Sequence, residues 1–226
     1  MSETLQHSAL VLFSGGQDST TLLGWALNRY EHVEAVSFDY GQRHAVEITQ
    51  SREICRLFGV EQTLLPIEAF KQLADSALIG HGGGSVASPH AHKQALPASY
   101  VPNRNALLLT LAHALAQKKG IEQMITGVCQ TDYSGYPDCR IGFINAIESA
   151  LNLGSESAIE IITPLMRLTK AETFKLAEEE GVLEVVLEHS HTCYEGVRDK
   201  RFPWGYGCGR CPACELRAKG WSEYQQ

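Results

Sequence analysis

Nowhere in the 226 residues does an apolar run approach the roughly 18 positions of a membrane-spanning helix, so an integral helical membrane protein is not expected. The amino terminus, Met1 to Ser8, has neither the basic segment nor the apolar stretch of a secretory signal, and the expected location is the cytoplasm. Positive charge is in short supply: 19 Lys plus Arg face 26 Asp plus Glu, for a formal net charge of −7 and a pI near 5.7. A broad nucleic-acid footprint ordinarily carries the opposite sign. A local basic patch stays open, because Arg198, Lys200, Arg201, Arg210 and Arg217 cluster near the carboxyl terminus. No internal repeat or low-complexity tract is present, and no GxxxxGK followed by Ser or Thr, the usual phosphate-binding loop of nucleoside triphosphatases, occurs anywhere.

Length and composition point to one α/β domain, since a chain of this size buries roughly 70–75% of its unfolded surface without needing disulfides. Short β-branched or apolar runs alternate with longer helical patterns. Ala9–Phe13, Val33–Phe38, Gln62–Leu65, Gln123–Gly127 and Ile159–Thr163 read as strands, and Thr20–Tyr30, Ala45–Phe58, Asn105–Lys118, Ile141–Asn152 and Lys170–Glu180 as helices. Strictly alternating strands and helices predict a doubly wound parallel sheet. After Val182–Leu187 the chain becomes rich in Gly, Cys and Arg without clear periodicity. The expected division is a nucleotide-binding α/β domain over residues 1–187, with a loop insertion at about 68–100, and a zinc-binding segment over 188–226. The insertion carries Gly80 to Gly84, His90 and His92; it reads as a surface loop, with a lid over substrate as the alternative.

The strongest local signal is the run Phe13, Ser14, Gly15, Gly16, Gln17, Asp18, Ser19, Thr20, Thr21, Leu22, Leu23, which leaves an apolar strand and opens a helix. Two glycines let the backbone turn tightly and come close to a ligand. The free N–H groups of a helix start, with the hydroxyls of Ser14, Ser19 and Thr20, suit phosphate oxygens. The plain alternative is a tight turn with Asp18 or Ser19 as a helix cap.

Four of the seven cysteines crowd into one stretch: Cys193, a 14-residue gap, then Cys208, Cys211 and Cys214 in overlapping CxxC turns. In a reducing compartment such thiols are metal ligands before they are disulfides. Four thiolates close a tetrahedral zinc shell and leave no position for water, so the site is structural. His189 and His191 stand next to the cluster as substitute ligands that four cysteines make unnecessary. Cys55 reads as core, and Cys129 as a packed thiol with a nucleophile as the alternative.

The SGGQDS sequence at 14 to 19 resembles the pyrophosphate-binding loop of the ATP-pyrophosphatase superfamily, which implies an adenine-nucleotide hydrolase-like fold, bound ATP and adenylation of a substrate. The wider set of FDYGQRH at 38 to 44, VPNRN at 101 to 105, TGVCQTDYSGYPDCR at 126 to 140, TPLMRLTKAE at 163 to 172 and the cysteine cluster is similar to the 7-cyano-7-deazaguanine synthase family of queuosine biosynthesis. That resemblance spans nearly the whole chain. The gap before Cys208 is longer than the family leads one to expect, which leaves the path of Glu195 to Gly207 open.

The resemblance implies a ligase that uses ATP and ammonia to turn 7-carboxy-7-deazaguanine into its nitrile through an amide, in a pathway that modifies tRNA. It also implies a cytoplasmic homodimer that binds small molecules and no nucleic acid directly. The chemistry is coherent: a carboxylate is a poor acyl electrophile, and an acyl adenylate offers ammonia a good leaving group. Negative phosphates need cations, a role for Mg²⁺ together with Arg104 or Lys170 as the catalytic candidates. Asp132, Tyr133, Asp138 and Arg140 follow the fourth strand, where a doubly wound sheet places ligands, and are the candidates for the deazaguanine ring. Asp39, Gln42, Arg43 and His44 end the second strand and are candidates to border adenine or ribose. Two rival functions stay open: direct tRNA modification by an adenylating relative, and a non-catalytic nucleotide sensor. Glutamine-dependent amidation lacks an evident glutaminase domain.

Overall fold

The computed structural model describes residues 6–41, 46–68, 100–130 and 136–226. Five parallel strands make the main sheet: β1 (Gln6–Leu12), β2 (Tyr30–Asp39), β3 (Glu61–Pro66), β4 (Gln123–Ile125) and β5 (Glu160–Ile162), in spatial order β3-β2-β1-β4-β5. Helices α1 (Gln17–Leu27) and α2 (Val46–Phe58) join the first three strands, while α3 (Arg104–Lys119) and α4 (Ile141–Ser155) serve β4 and β5. Strand order therefore reverses between β1 and β4, and in open α/β sheets this is where ligands bind, beyond the carboxyl ends of the strands.

Alternation along β1 splits the core in two. Ala9 and Val11, with Phe13 just beyond, pack on Leu22, Leu23, Ala26 and Ile54 of α1 and α2. Leu10 faces the other way, onto Leu109, Ala112 and Ala116 of α3, with Met124 and Ile144. A strand buried on both faces reads as a continuous apolar run, which is why β1 stands out in the sequence and the shorter β4 and β5 do not.

Beyond β5 come α5 (Lys170–Glu179), α6 (Leu183–His189) and the carboxyl-terminal α7 (Pro212–Tyr224). The start of α5 is set by a capping box, with the Thr169 side chain accepting from the Glu172 amide and the Glu172 carboxylate accepting in return from the Thr169 amide. The long gap before Cys208 holds a small antiparallel hairpin, β6 (Arg201–Phe202) with β7 (Gly205–Tyr206). Phe202 stacks on Trp204 within the hairpin, with ring centroids 4.7 Å apart, and Arg201 pairs with Glu188 of α6, which fastens the hairpin to the body of the protein. Among the described residues no helix is long and apolar enough to cross a membrane.

Helix α1 passes close under the segment before α6, and Gly24 is what allows it. A Cβ there would lie 2.5 Å from Val182 Cγ1. Gly24→Ala is expected to destabilise the protein by about 1–3 kcal/mol through overpacking. Gly154→Ala, where a Cβ meets nothing within 4 Å, should instead stabilise it by about 0.5–1 kcal/mol. Urea unfolding of both variants separates the two effects.

Candidate active site

A cavity of about 340 Å³ opens at the switch point, and the carboxyl ends of three strands form its floor. Leu12, Phe13 and Ser14 come from the end of β1, Ser37, Phe38 and Tyr40 from β2, and Thr126 to Cys129 from the segment after β4. Glu47, Ile48 and Ser51 of α2, Arg104 and Asn105 of α3, Tyr136, and His191, Thr192 and Tyr194 complete the wall.

Of the sequence-predicted loop, Phe13, Ser14, Gly16, Asp18 and Ser19 line the cavity. Gly15 has φ +79°, and a Cβ on it would lie 2.9 Å from the Ser51 amide nitrogen, so both conformation and space call for glycine. Ser14 Oγ and Ser19 Oγ lie 3.1 Å apart, and the Gly16 amide donates to Ser14 Oγ at 3.3 Å, which holds the turn open as a cradle. Beneath it the Ser37 hydroxyl donates to the Phe13 carbonyl at 2.5 Å, and Gln62 Nε2 donates to both Ser37 and Ser51. Thr21 Oγ1 donates to the Gln17 carbonyl, while Leu22 and Leu23 are core residues. Gln17 Oε1 and Nε2, Asp18 Oδ1 and Thr20 Oγ1 are buried without hydrogen-bond partners. Of these residues Asp18 lines the cavity, while Gln17 and Thr20 lie outside its lining. The glycine turn, the helix start and the Ser14 and Ser19 hydroxyls are what fit a polyphosphate.

Lys170, the first residue of α5, places Nζ 2.5 Å from Asp18 Oδ2, so this cation sits on the phosphate side of the cavity. Arg104 opens α3 at the other side. Its guanidinium lies 5.9 Å from the Tyr136 ring centroid. Burial works against its charge, yet Tyr40, Tyr136, Tyr194 and the Asp138 carboxylate outweigh that effect and hold it above the ordinary range. Asp138 explains why α3 begins here. Asn103, preceding the helix, is left-handed with φ 58° and gives no side-chain cap, and the Asp138 carboxylate accepts from the Asn105 amide at 3.1 Å instead. Arg140 is exposed, immediately precedes α4 and lies outside the cavity lining. Asp39 is exposed and accepts from the Gly41 amide at 3.1 Å. Asp132, Tyr133, Gln42, Arg43, His44 and positions 80–99 of the loop lie outside the described residues.

Sequence reading passed over Glu47. It occupies the first turn of α2 and lines the cavity. Burial, reinforced by the Cys193 sulfur, pushes its carboxyl up to about 7 against the opposing pull of Arg104. The available signal was its place at the start of the helix after β2, at the same edge of the sheet as the glycine loop. His191 is likewise buried in the wall, neither ring nitrogen closing a hydrogen bond, and burial lowers its imidazole to about 4.

Cys193, Cys208, Cys211 and Cys214 converge, with their sulfurs all within 4.8 Å of one another. A tetrahedral thiolate site with metal–sulfur bonds of about 2.3 Å needs sulfurs about 3.8 Å apart, and Cys208 Sγ and Cys214 Sγ are 3.9 Å apart. Backbone amides already aim at these sulfurs: Cys208 N–H at Cys193 Sγ and Cys211 N–H at Cys208 Sγ, each 3.3 Å. Hydrogen bonds from Cys211 and Cys214 hold the Cys193 thiol well below its usual range. The four side chains fit a divalent ion with soft ligands. The cluster also supports the glycine loop, since the His191 amide donates to the Gly15 carbonyl at 2.9 Å, two residues before Cys193.

A parallel α/β sheet with a helix-start anion loop at its switch point, and beside that loop four cysteines that could hold a metal, defines a nucleotide-binding enzyme class. Residues 8–225 match the family model described as queuosine biosynthesis protein QueC, and the chain belongs to that family. It is 58% identical to a 7-cyano-7-deazaguanine synthase of Wolinella succinogenes over 217 residues, covering 96% of this chain and 93% of that one. A protein of the same name from Helicobacter pylori is 47% identical over 220 residues, 97% of each chain. Among solved structures, the NH3-dependent NAD synthetase of Campylobacter jejuni aligns with a TM-score of 0.47 at 16% identity, over 84% of this chain and 72% of that one.

Two outcomes are expected. Cys208→Ser should lower the tightly bound metal measured by elemental analysis and, through the His191 to Gly15 contact, weaken nucleotide binding in calorimetry. The raised Glu47 carboxyl works against the folded state once ionised. The stability it confers is full below its ordinary value near 4.5 and is lost as pH rises through about 7. Glu47→Gln should therefore match the wild type at pH 4.5 and exceed it at pH 8 by about 1–3 kcal/mol, allowing for partial solvent screening.

Proposed function

We propose that this chain converts 7-carboxy-7-deazaguanine and ammonia to 7-cyano-7-deazaguanine at the expense of ATP, through an amide made in the same cavity. The observation that carries this reading is that one cavity joins two different surfaces. Its β1 side is a phosphate cradle with orphaned polar atoms, and its α2 and α3 side is a wall of Tyr40, Tyr136, Tyr194, Glu47 and Arg104, shaped for a flat polar ring. ATP, when bound, would supply a leaving group twice: first on the substrate carboxylate, so that ammonia displaces it to give the amide, and again on the amide oxygen, whose departure with loss of the amide protons gives the nitrile. The protein's part is to hold the triphosphate on Ser14, Gly16 and Ser19, to bring Lys170 against the developing phosphate charge, and to orient the carboxylate. Arg104 is proposed as the partner of the substrate carboxylate or its adenylate. Mg²⁺ accompanies ATP, and Asp18, beside Lys170, is the cavity carboxylate nearest the cradle.

In this reading zinc occupies the four cysteines and does no chemistry. The shell is filled by protein sulfur, and residues 188–226 act as a buttress on residues 1–187. Action in the cytoplasm as a homodimer goes with this assignment; the outer face of α4, with Ile141 at 39% and Leu153 at 82% exposure, offers the apolar surface for pairing. Asp132 and Tyr133 remain proposed neighbours of the ring.

The test is mass spectrometry of purified protein with ATP, Mg²⁺, ammonium and 7-carboxy-7-deazaguanine, with nucleotide products quantified in parallel. Amide and then nitrile are expected, and Lys170→Ala should cut kcat by at least about 100-fold. If ATP binds and neither product forms, the assignment fails and activity toward tRNA becomes the better account of the same loop.

A further inference from the structure

Two carboxylates line the cavity among the described residues, Asp18 and Glu47. Asp18 is committed, with Lys170 Nζ on one of its oxygens at 2.5 Å. Glu47 makes no ion pair among the described residues and stands on the aromatic side of the cavity, in the wall that also holds Tyr40, Arg104, Tyr136 and Tyr194. A carboxylate with both oxygens accepting, partly withdrawn from water and without a bound cation, is costly unless a ligand brings donors to it.

The ligand's edge decides which ring suits it. A guanine-type edge presents two adjacent donors, the ring N1–H and the exocyclic 2-amino group, which match the two oxygens of one carboxylate. An adenine edge presents one donor beside the acceptor N1, whose lone pair would face the second oxygen. The paired arrangement therefore selects the deazaguanine over the adenine of ATP. Tyrosines around the carboxylate supply faces for a flat ring to lie against.

We propose that Glu47 is the specificity-determining residue of the reaction, accepting hydrogen bonds from N1–H and the 2-amino group of the deazaguanine ring. The inference rests on the functional reading above and names the substrate group that this part of the cavity binds. Its raised carboxyl is in keeping with the role, because two donors from the ring would stabilise the ionised form that burial disfavours.

The experiment compares 7-carboxy-7-deazaguanine with the analogue that lacks only the 2-amino group, in wild type, Glu47→Gln, Glu47→Ala and Asp132→Asn. The wild type is expected to prefer the amino-bearing substrate by about 10- to 100-fold in kcat/KM, the size of a hydrogen bond to a charged group. In both Glu47 variants this preference should collapse to within about threefold, chiefly through a higher KM, with the KM for ATP unchanged. Calorimetric titration of the two rings without turnover should show the same loss of discrimination, and the denaturation profile of Glu47→Gln serves as its folding control. The proposal is overturned if the Glu47 variants keep the wild-type preference, if the KM for ATP moves instead, or if Asp132→Asn alone erases the preference. A wild type that binds ATP but leaves the carboxylate substrate untouched overturns it together with the functional reading, a result distinct from intact turnover with unchanged discrimination.

Discussion

The glycine turn after β1 keeps its shape because distant parts of the chain close on it from separate directions. The His191 amide, from the stretch leading into the cysteine cluster, donates to the Gly15 carbonyl, and α2 presses its Ser51 backbone against the face where any other residue would carry a Cβ. Lys170, from the start of α5, holds Asp18. None of these contacts is available to an isolated strand, turn and helix. The cradle is therefore a product of the whole domain, and a change in any of the three supports reaches the ligand site, through the Gly15 backbone for the His191 and Ser51 contacts and through the Asp18 side chain for Lys170.

The cysteine cluster takes its meaning from that arrangement. Four converging sulfurs, two of them with backbone amides aimed at them, could hold a metal ion by protein sulfur alone. What the cluster does is hold the start of α7, the small hairpin and the 190–194 segment together, and that segment supplies three residues of the cavity wall. Buried Arg217 ties the same region together, donating to the Thr192 hydroxyl at 2.7 Å and to the Val186 carbonyl at 2.8 Å.

The cavity itself is assembled against the grain of stability. Asp18 and His191 line it with buried polar atoms that have no partner, and Glu47 is a carboxylate held partly out of water. Each is a cost that an apolar residue would avoid, and together they sit on the surfaces that a phosphate and a polar ring would satisfy. The rest of the domain, with two continuous apolar faces on the central strands, provides the surplus that tolerates them.

What the sequence determined by itself was everything written in short-range code. Alternating apolar strands and periodic helices specify the parallel sheet. Two glycines between a buried strand and a helix specify an anion loop, and CxxC spacing brings three sulfurs together on consecutive turns. Tertiary structure decided the rest, because no local signal encodes which residues meet across a crossover. Glu47, Arg104 and Tyr194 come from three separate segments and share one wall only through the strand order β3-β2-β1-β4-β5 and the fold-back of the carboxyl-terminal region. Asp138 reads in the sequence as a residue following a strand, and only the structure shows its carboxylate capping α3, the helix that begins with Arg104. The hairpin at 201–206 escaped notice for a physical reason of its own: two-residue strands have no period to detect, and stacking and ion pairing rather than patterning hold them in place.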